Sequence, residues 1–334
     1  MRQQNKKVRL LKGLATAVAV PVMAMAASGA HAADYPKKPI NLVIPYDAGG
    51  AADLAARILA STAPQYLGHA VLASNKTGAG GIVGSNFVVR SKPDGYTLLL
   101  ARVGSQAGVP AMNMKTPYKW NDYTFIGLLE KNPFVLVVNS KSDLKSLDDI
   151  QAKLKAGKKL TYATGGVGTL PHIAMVMVLS GMGLDSKAMT HIPYKGGGAA
   201  AAALVGGHAD MFFQNLSGVI GQIQAGKLRA LFVTTEKRVG VIKDVPTVKE
   251  VGRPDLELAI GWSALYGPKG LPKDVVDKWS GVLQKLKTDK SWVKLNRKLG
   301  NIPSISTSAD LEKFAGAQFK AMRDVATKTG ILIK

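Results

Sequence analysis

Three stretches of the chain share one arrangement, in which a strand-like run ends, glycines follow and a helix-like run begins. They are PYDAGGAAD (Pro45 to Asp53), TGGVGT (Thr164 to Thr169) and YKGGGA (Tyr194 to Ala199). Glycine lets a backbone turn sharply and come close to a ligand. A helix start adds unpaired N–H groups and a partial positive charge. Together they can bind an anion without a charged side chain. One such turn is ordinary turn chemistry; three in one chain put ligand binding on a level with turn chemistry.

Residues suited to catalysis or metal binding do not gather in this way. His69, His172, His191 and His208 follow no metal-ligand spacing, and H-E-x-x-H is absent. No G-x-S-x-G elbow occurs. Asp53, Asp94 and Asp210 are candidate acids, but nothing pairs them. Asp53 reads as capping or orienting its helix, or as a ligand hydrogen-bond partner. His172, just after the second turn, reads first as a satisfied structural histidine and second as a ligand or interlobe contact. G-x-x-x-x-G-K-[ST] is missing, and KTGAGGIVG (Lys76 to Gly84) does not match G-x-G-x-x-G, so that loop reads first as structural and second as lining the cleft. No cofactor and no metal site are expected.

The elements that must hold these turns alternate between strand and helix. Strands are expected at Ile40–Pro45, Ala70–Ser74, Tyr96–Ala101, Phe134–Val138, Leu160–Thr164, Met189–Tyr194, Ala209–Gln214 and Arg229–Thr235. Helical spacing marks Ala51–Leu67, Gly81–Ser91, Leu147–Gly157, Leu170–Ser180 and Ala199–Val205. From Lys273 onward the chain reads as amphipathic helices, Val275–Leu286 and Ala309–Gly330. Short apolar strands separated by helices predict parallel sheets with βαβ crossovers. In such sheets, ligands bind at the carboxyl ends of the strands.

The start of the chain sets a compartment. Arg2, Lys6, Lys7, Arg9 and Lys12 precede an apolar run from Gly13 to Ala27, and Ala30 and Ala32 form an A-x-A pattern. This is the layout of a signal peptide cleaved after about Ala32, which predicts export to a bacterial periplasm. The run falls short of the ~20 residues that span a bilayer. The absence of cysteine excludes disulfides, thiolate metal sites and a cysteine nucleophile. The chain carries +22, and setting aside the five basic residues of the leader leaves +17. That field attracts anions. Basic residues are dispersed and aromatics amount to 6%, so nucleic acid is not the expected partner.

The motifs together resemble the periplasmic solute-binding proteins of tripartite tricarboxylate transporters, the Bug receptors. The similarity runs through YPKKPINLVIPYDAGGAADLAARILA, with its P-[FY]-x-x-G-G-x-x-D turn. It continues through SKPDGYTLLLA, YATGGVGTLPHIA, IPYKGGGAAAAALVGGHADMFFQNL, GKLRALFVTTEKR, DVPTVKEVG and WSALYGPKGLPKDVVDKW. The resemblance implies an α/β fold of the type II periplasmic binding protein kind, with two α/β lobes and a ligand cleft between them. The expected division is a signal peptide at 1–32, one lobe from 33–133 and 258–334, and the other from 134–257. The family's carboxylate-gripping role carries over to Tyr46, Ala48, Gly49, Gly50, Ala51, Ala52 and Asp53. In the second lobe it falls on Gly165, Gly166, Val167, Gly168, Thr169, Gly197, Gly198 and Ala199, with His172 beside them.

The chain also departs from the family. Ala52 stands where a threonine is common, and Ala199 where proline is common. Arg102 follows the third strand, where small residues are usual; it reads first as part of a surface or interdomain ion pair and second as a bidentate clamp on a carboxylate. Arg102 or Ser105 would then hold a second polar group, while Tyr46, Phe213 or Trp262 covers the ligand body. The expected protein is a non-enzymatic, monomeric receptor that passes a small carboxylate, a dicarboxylate or an aromatic acid, to inner-membrane permease subunits. The alternatives are a ligand-sensing receptor for a signalling partner and an exported enzyme acting on small anions.

Overall fold

The structure is a computed structural model and describes residues 35–333. The signal-peptide segment lies outside the described residues. The chain opens with β1 (Ile40–Ile44), α1 (Ala51–Thr62), α2 (Pro64–Leu67), β2 (Val71–Asn75), α3 (Ile82–Val89), β3 (Thr97–Arg102), α4 (Val109–Met112) and β4 (Tyr123–Asn132). Next come β5 (Phe134–Asn139), α5 (Leu147–Lys155), β6 (Thr161–Thr164), α6 (Leu170–Gly181), β7 (Thr190–Pro193), α7 (Gly197–Val205), β8 (Met211–Asn215), α8 (Ile220–Gln224) and β9 (Leu228–Val233). It ends with β10 (Gly261–Pro268), α9 (Lys273–Thr288), α10 (Lys290–Lys298), β11 (Ile302–Pro303) and α11 (Ser308–Lys328).

The strands form two sheets. One runs β11-β4-β10-β3-β1-β2 and the other β7-β6-β8-β5-β9. Helices pack on both, so the molecule is an α/β protein of two lobes. β4 ends in the first sheet at Asn132 and β5 begins in the second at Phe134, so the chain passes between lobes at Pro133. It returns between β9 and β10.

Parallel pairing holds for β1 with β2 and β3, and for β6 with β7 and β8. The expectation of wholly parallel sheets needs correction. β10 runs antiparallel to both β3 and β4, and β5 runs antiparallel to both β8 and β9. The reason lies in the crossings: a strand arriving from the other lobe has no βαβ unit to set its direction. Two elements on this path, β4 and the strand character of β10, were missed by the sequence pattern. All eight residues of β10 are buried, but Gly261, Ser263, Gly267 and Pro268 interrupt the apolar run by which the other buried strands are read.

Local chemistry fixes the helix ends. Pro64 opens α2 and Gly68 closes it at φ 81°, the left-handed conformation that suits glycine. Asp289 caps α10 by accepting from Trp292 N at 2.7 Å, and Thr307 caps α11. Trp279 and Trp292 are fully buried beneath the first sheet's outer face. Phe134, Phe213 and Phe232 pack together in the second lobe. These cores hold rigid the carboxyl ends of β1, β3, β6 and β7, from which the glycine turns and Arg102 extend.

Candidate functional site

The turns after β1, β6 and β7 meet across the cleft between the lobes. A Cβ on Gly50 would lie 3.3 Å from Gly198 N, one on Gly166 would lie 3.0 Å from Gly80 Cα, and one on Gly108 would lie 2.6 Å from Gly168 O. The close approach of one lobe's backbone to the other is what requires glycine here. The Lys76–Gly84 loop takes part through Gly80, which abuts the second turn.

These contacts enclose a cavity. Lobe-one residues lining it are Tyr46, Gly50, Ala51, Ala52, Arg102, Val103 and Gly104. The second lobe supplies Phe134, Gly165, Thr169, Leu170, Pro171, Gly197, Gln214 and Asn215. The centre of a water-sized sphere has about 50 Å³ to move in, room for a few waters. The first turns of α1, α6 and α7 all border it, and each offers N–H groups without intrahelical acceptors.

Arg102 is the charged residue of the lining and is 4% exposed. Its Nη1 donates to Ser263 Oγ. Its Nη2 donates to Asn215 Oδ1 at 2.7 Å, across the lobes. Glu130, fully buried behind it, lies 3.8 Å from Nη1. Burial pushes the Glu130 carboxyl above the ordinary glutamate range, against the pull of Arg102. Asn132 Nδ2 donates to Glu130 Oε1 at 3.3 Å, leaving Oε2 without a hydrogen-bond partner among the described residues. Asn215 Nδ2 is likewise without one. Tyr46 donates from its hydroxyl to Gly80 O at 3.1 Å, and burial pushes its phenol up to about 12.

Several expected residues lie off the cavity. Asp53 points back into lobe one. It accepts from Arg57 Nε at 2.8 Å, Gly49 N at 3.1 Å and Asn75 Nδ2 at 3.1 Å. Burial alone would raise its pKa; these donors hold it below the ordinary aspartate range. It therefore orients the first turn. Ala48 and Gly49 form the turn's exposed tip. Ser105 is fully buried behind the lining, in a π-helical turn after β3. Gly166, Val167 and Gly168 border a separate outer groove with Tyr194 and Ile333. Gly198 and Ala199 face Asp47. Phe213 and Trp262 are fully buried core residues. Phe134, stacked on Phe213 with centroids 5.6 Å apart, takes the place expected for them.

His172 also turns away. Its Nδ1 accepts from Gly168 N at 3.2 Å, and its ring stacks on His191 with centroids 4.3 Å apart. The His191 ring stacks in turn on Tyr162, and its Nε2 lies 2.6 Å from Thr164 Oγ1. Burial pushes His172 down to about 4. Burial and then the neighbouring His172 push His191 down to about 3. The structural reading of His172 fits this geometry. Phe134, Leu170, Pro171, Val103, Gly104, Gln214 and Asn215 escaped sequence reasoning. The polar pair Gln214–Asn215, ending the buried run MFF, was the available signal.

Two α/β lobes with a cleft rimmed by helix N-termini are the architecture of the periplasmic binding proteins. Residues 55–331 match the sequence profile of the tripartite tricarboxylate transporter family receptor, and the chain belongs to that family. It is 32% identical to protein BugT of Bordetella pertussis over 303 residues, covering 90% of this chain and 92% of that one. The solved structure of periplasmic binding protein BugD superposes with a TM-score of 0.84 at 30% identity, over 90% of this chain and 100% of that one. MatC of Rhodopseudomonas palustris, solved with bound malate, shares the fold with a TM-score of 0.81 at 24% identity, over 87% of this chain and 100% of that one.

Proposed function

We propose that this chain, freed of residues 1–32 on export, is a periplasmic solute-binding receptor for a small organic dicarboxylate. Its lobes, 33–133 with 258–334 and 134–257, close on the ligand, and the closed form delivers it to a tripartite tricarboxylate-type permease. It works as a monomer, without metal, cofactor or chemical turnover.

The observation that carries this reading is the convergence of the N-termini of α1 and α6 and one buried arginine on a small cavity that the start of α7 also borders. One ligand carboxylate is held by backbone amides from Gly50–Ala52 and Thr169–Leu170, with Gly165 and Gly197 beside them. A second is held by Arg102, with Asn215 alongside. Tyr46, Phe134 and Pro171 cover the carbon chain. The room of about 50 Å³ is a third of the ~150 Å³ that accommodates benzene in an engineered cavity. A four-carbon diacid is no smaller than benzene, so the cleft widens to admit any such acid, and the choice of an aliphatic diacid rests on the two anion-binding ends, the helix amides and Arg102, rather than on volume. No carboxylate lines the cavity to receive an ammonium group, which disfavours amino acids.

Thermal unfolding of residues 33–334 against carboxylates, amino acids, sugars and phosphates tests this. A ligand at 100 times its Kd adds about 2.7 kcal/mol, which raises the Tm by several degrees. The expected result is a rise confined to short aliphatic diacids. A rise only with sugars or amino acids, or consumption of a bound acid, would overturn the reading.

A further inference from the structure

We propose that Asp47 is an interlobe latch. Its carboxylate, carried on the first glycine turn of one lobe, caps the N-terminus of α7 in the other and holds the cleft closed. The third glycine turn then serves closure through an internal carboxylate, and the ligand's carboxylate is left to α1, α6 and Arg102.

Four observations meet at this point. Asp47 Oδ2 accepts from Ala199 N at 3.1 Å, across the lobes. Ala199 is the third residue of the nine-residue α7, so its N–H has no intrahelical acceptor and sits in the positive end of the helix. Asp47 Oδ1 is buried without a hydrogen-bond partner among the described residues, so this carboxylate is seated in the lip rather than swinging in solvent. The glycines opposite leave its space. A Cβ on Gly196 would lie 1.7 Å from Asp47 Oδ1, and one on Gly198 would lie 2.8 Å from Ala48 O. Gly196 has an extended backbone at φ 179°, which any residue adopts, so room for Asp47 is what calls for glycine there.

The position explains a division of labour. Gly50 borders the cavity on one side and the Asp47 carboxylate on the other, and Gly197, which borders the cavity, lies between Gly196 and Gly198, which face that carboxylate. A ligand carboxylate at the α7 end would meet a like charge within a few ångströms, which is unfavourable. The hydrogen bond crosses the lobes, so it forms only when they close. It therefore adds to the stability of whatever the closed cleft holds and slows reopening.

The test removes each half of the latch. Asp47→Ala deletes the acceptor. Ala199→Pro deletes the donor, at a first-turn position where proline is tolerated. Dissociation of the acid found above is followed by stopped flow, and lobe closure of the unliganded protein by small-angle X-ray scattering. Each single variant is expected to dissociate about 3- to 30-fold faster, without slower association. The double variant should be no worse than the stronger single one, because both remove one interaction. Unliganded variants should have a larger radius of gyration than the native chain. Asp47→Asn keeps an acceptor without charge and preserves the test if the alanine variant does not fold; its dissociation rate should lie between the others and lose the native sensitivity to salt. Unchanged dissociation and unchanged scattering in both single variants would overturn the latch, as would effects that multiply in the double variant. The dissociation arm rests on the proposed receptor function. If the native chain binds no acid, that reading fails, and the scattering arm alone decides the latch.

Discussion

Arg102 is a cation shared by both lobes, with Ser263 on its own side and Asn215 on the other. These neutral acceptors engage two of its five donors. Replacing it by glutamine removes the charge but keeps a polar group. Charge-assisted hydrogen bonds contribute about 1.5–3 kcal/mol, so Arg102→Gln should lower the affinity for a diacid about 10- to 150-fold. The affinity for the corresponding half-amide should hardly change. Calorimetric titration of both ligands checks this, and equal losses would remove Arg102 from the site. The same substitution strands Glu130 and should destabilise the fold by about 3–5 kcal/mol at neutral pH, with Glu130→Gln in the same chain recovering most of the loss. Arg102 was legible in the sequence because a charge ending an apolar strand stands out. Phe134 and Asn215 were not, because nothing local says which buried side chain will face a cleft.

At the scale of elements, the second glycine turn rests on the His172–His191–Tyr162 stack. His172 Nδ1 accepts from Gly168 N only while that nitrogen is unprotonated. Its pKa falls from 6.5 in the unfolded chain to about 4 in the fold. The unfolded chain therefore binds the extra proton first. The histidine's neutral state stabilises the fold fully above pH 6.5, and this contribution is lost as pH falls from 6.5 towards 4. Each pH unit removes at most about 1.4 kcal/mol per group, roughly 3 kcal/mol in all for His172. Urea unfolding at pH 7, 5.5 and 4.5 should show a fall that His172→Gln flattens. A native chain and variant with parallel profiles would refute it. The helices were legible from the period of 3.6 and most strands as short apolar runs. β10 was not, since Gly261, Ser263, Gly267 and Pro268 break its apolar run.

For the whole molecule, the +17 expected on the exported chain draws anions towards the cleft. Dispersed charge contributes little to binding once the ligand is enclosed, because encounter and escape respond differently to screening. Association of the diacid should slow about 3- to 10-fold between 10 mM and 0.5 M salt, as the Debye length shrinks from about 30 Å to a few ångströms. Dissociation should rise less, and only by the part that the exposed Asp47–Ala199 contact supplies. Stopped-flow traces at several salt concentrations separate the two. A salt-independent association rate would show that the positive field does not reach the cleft.

The sequence by itself determined the alternation of elements, the glycine turns at strand ends, the charge, and the resemblance to a receptor family that the comparisons establish. Each is written within a few neighbouring residues or in the sum of all of them. Tertiary structure alone decided that β10 and β5 run antiparallel to their neighbours, and that His172 meets His191 and turns from the cleft. It also decided that Asp53 serves its own lobe while Asp47 reaches the other. Around the cleft, contacts join residues 113, 152 and 161 positions apart: Arg102 with Asn215, Asp47 with Ala199, and Arg102 with Ser263. Local backbone preference sets where a turn forms. Which of its atoms face a ligand depends on how the two lobes pack against each other.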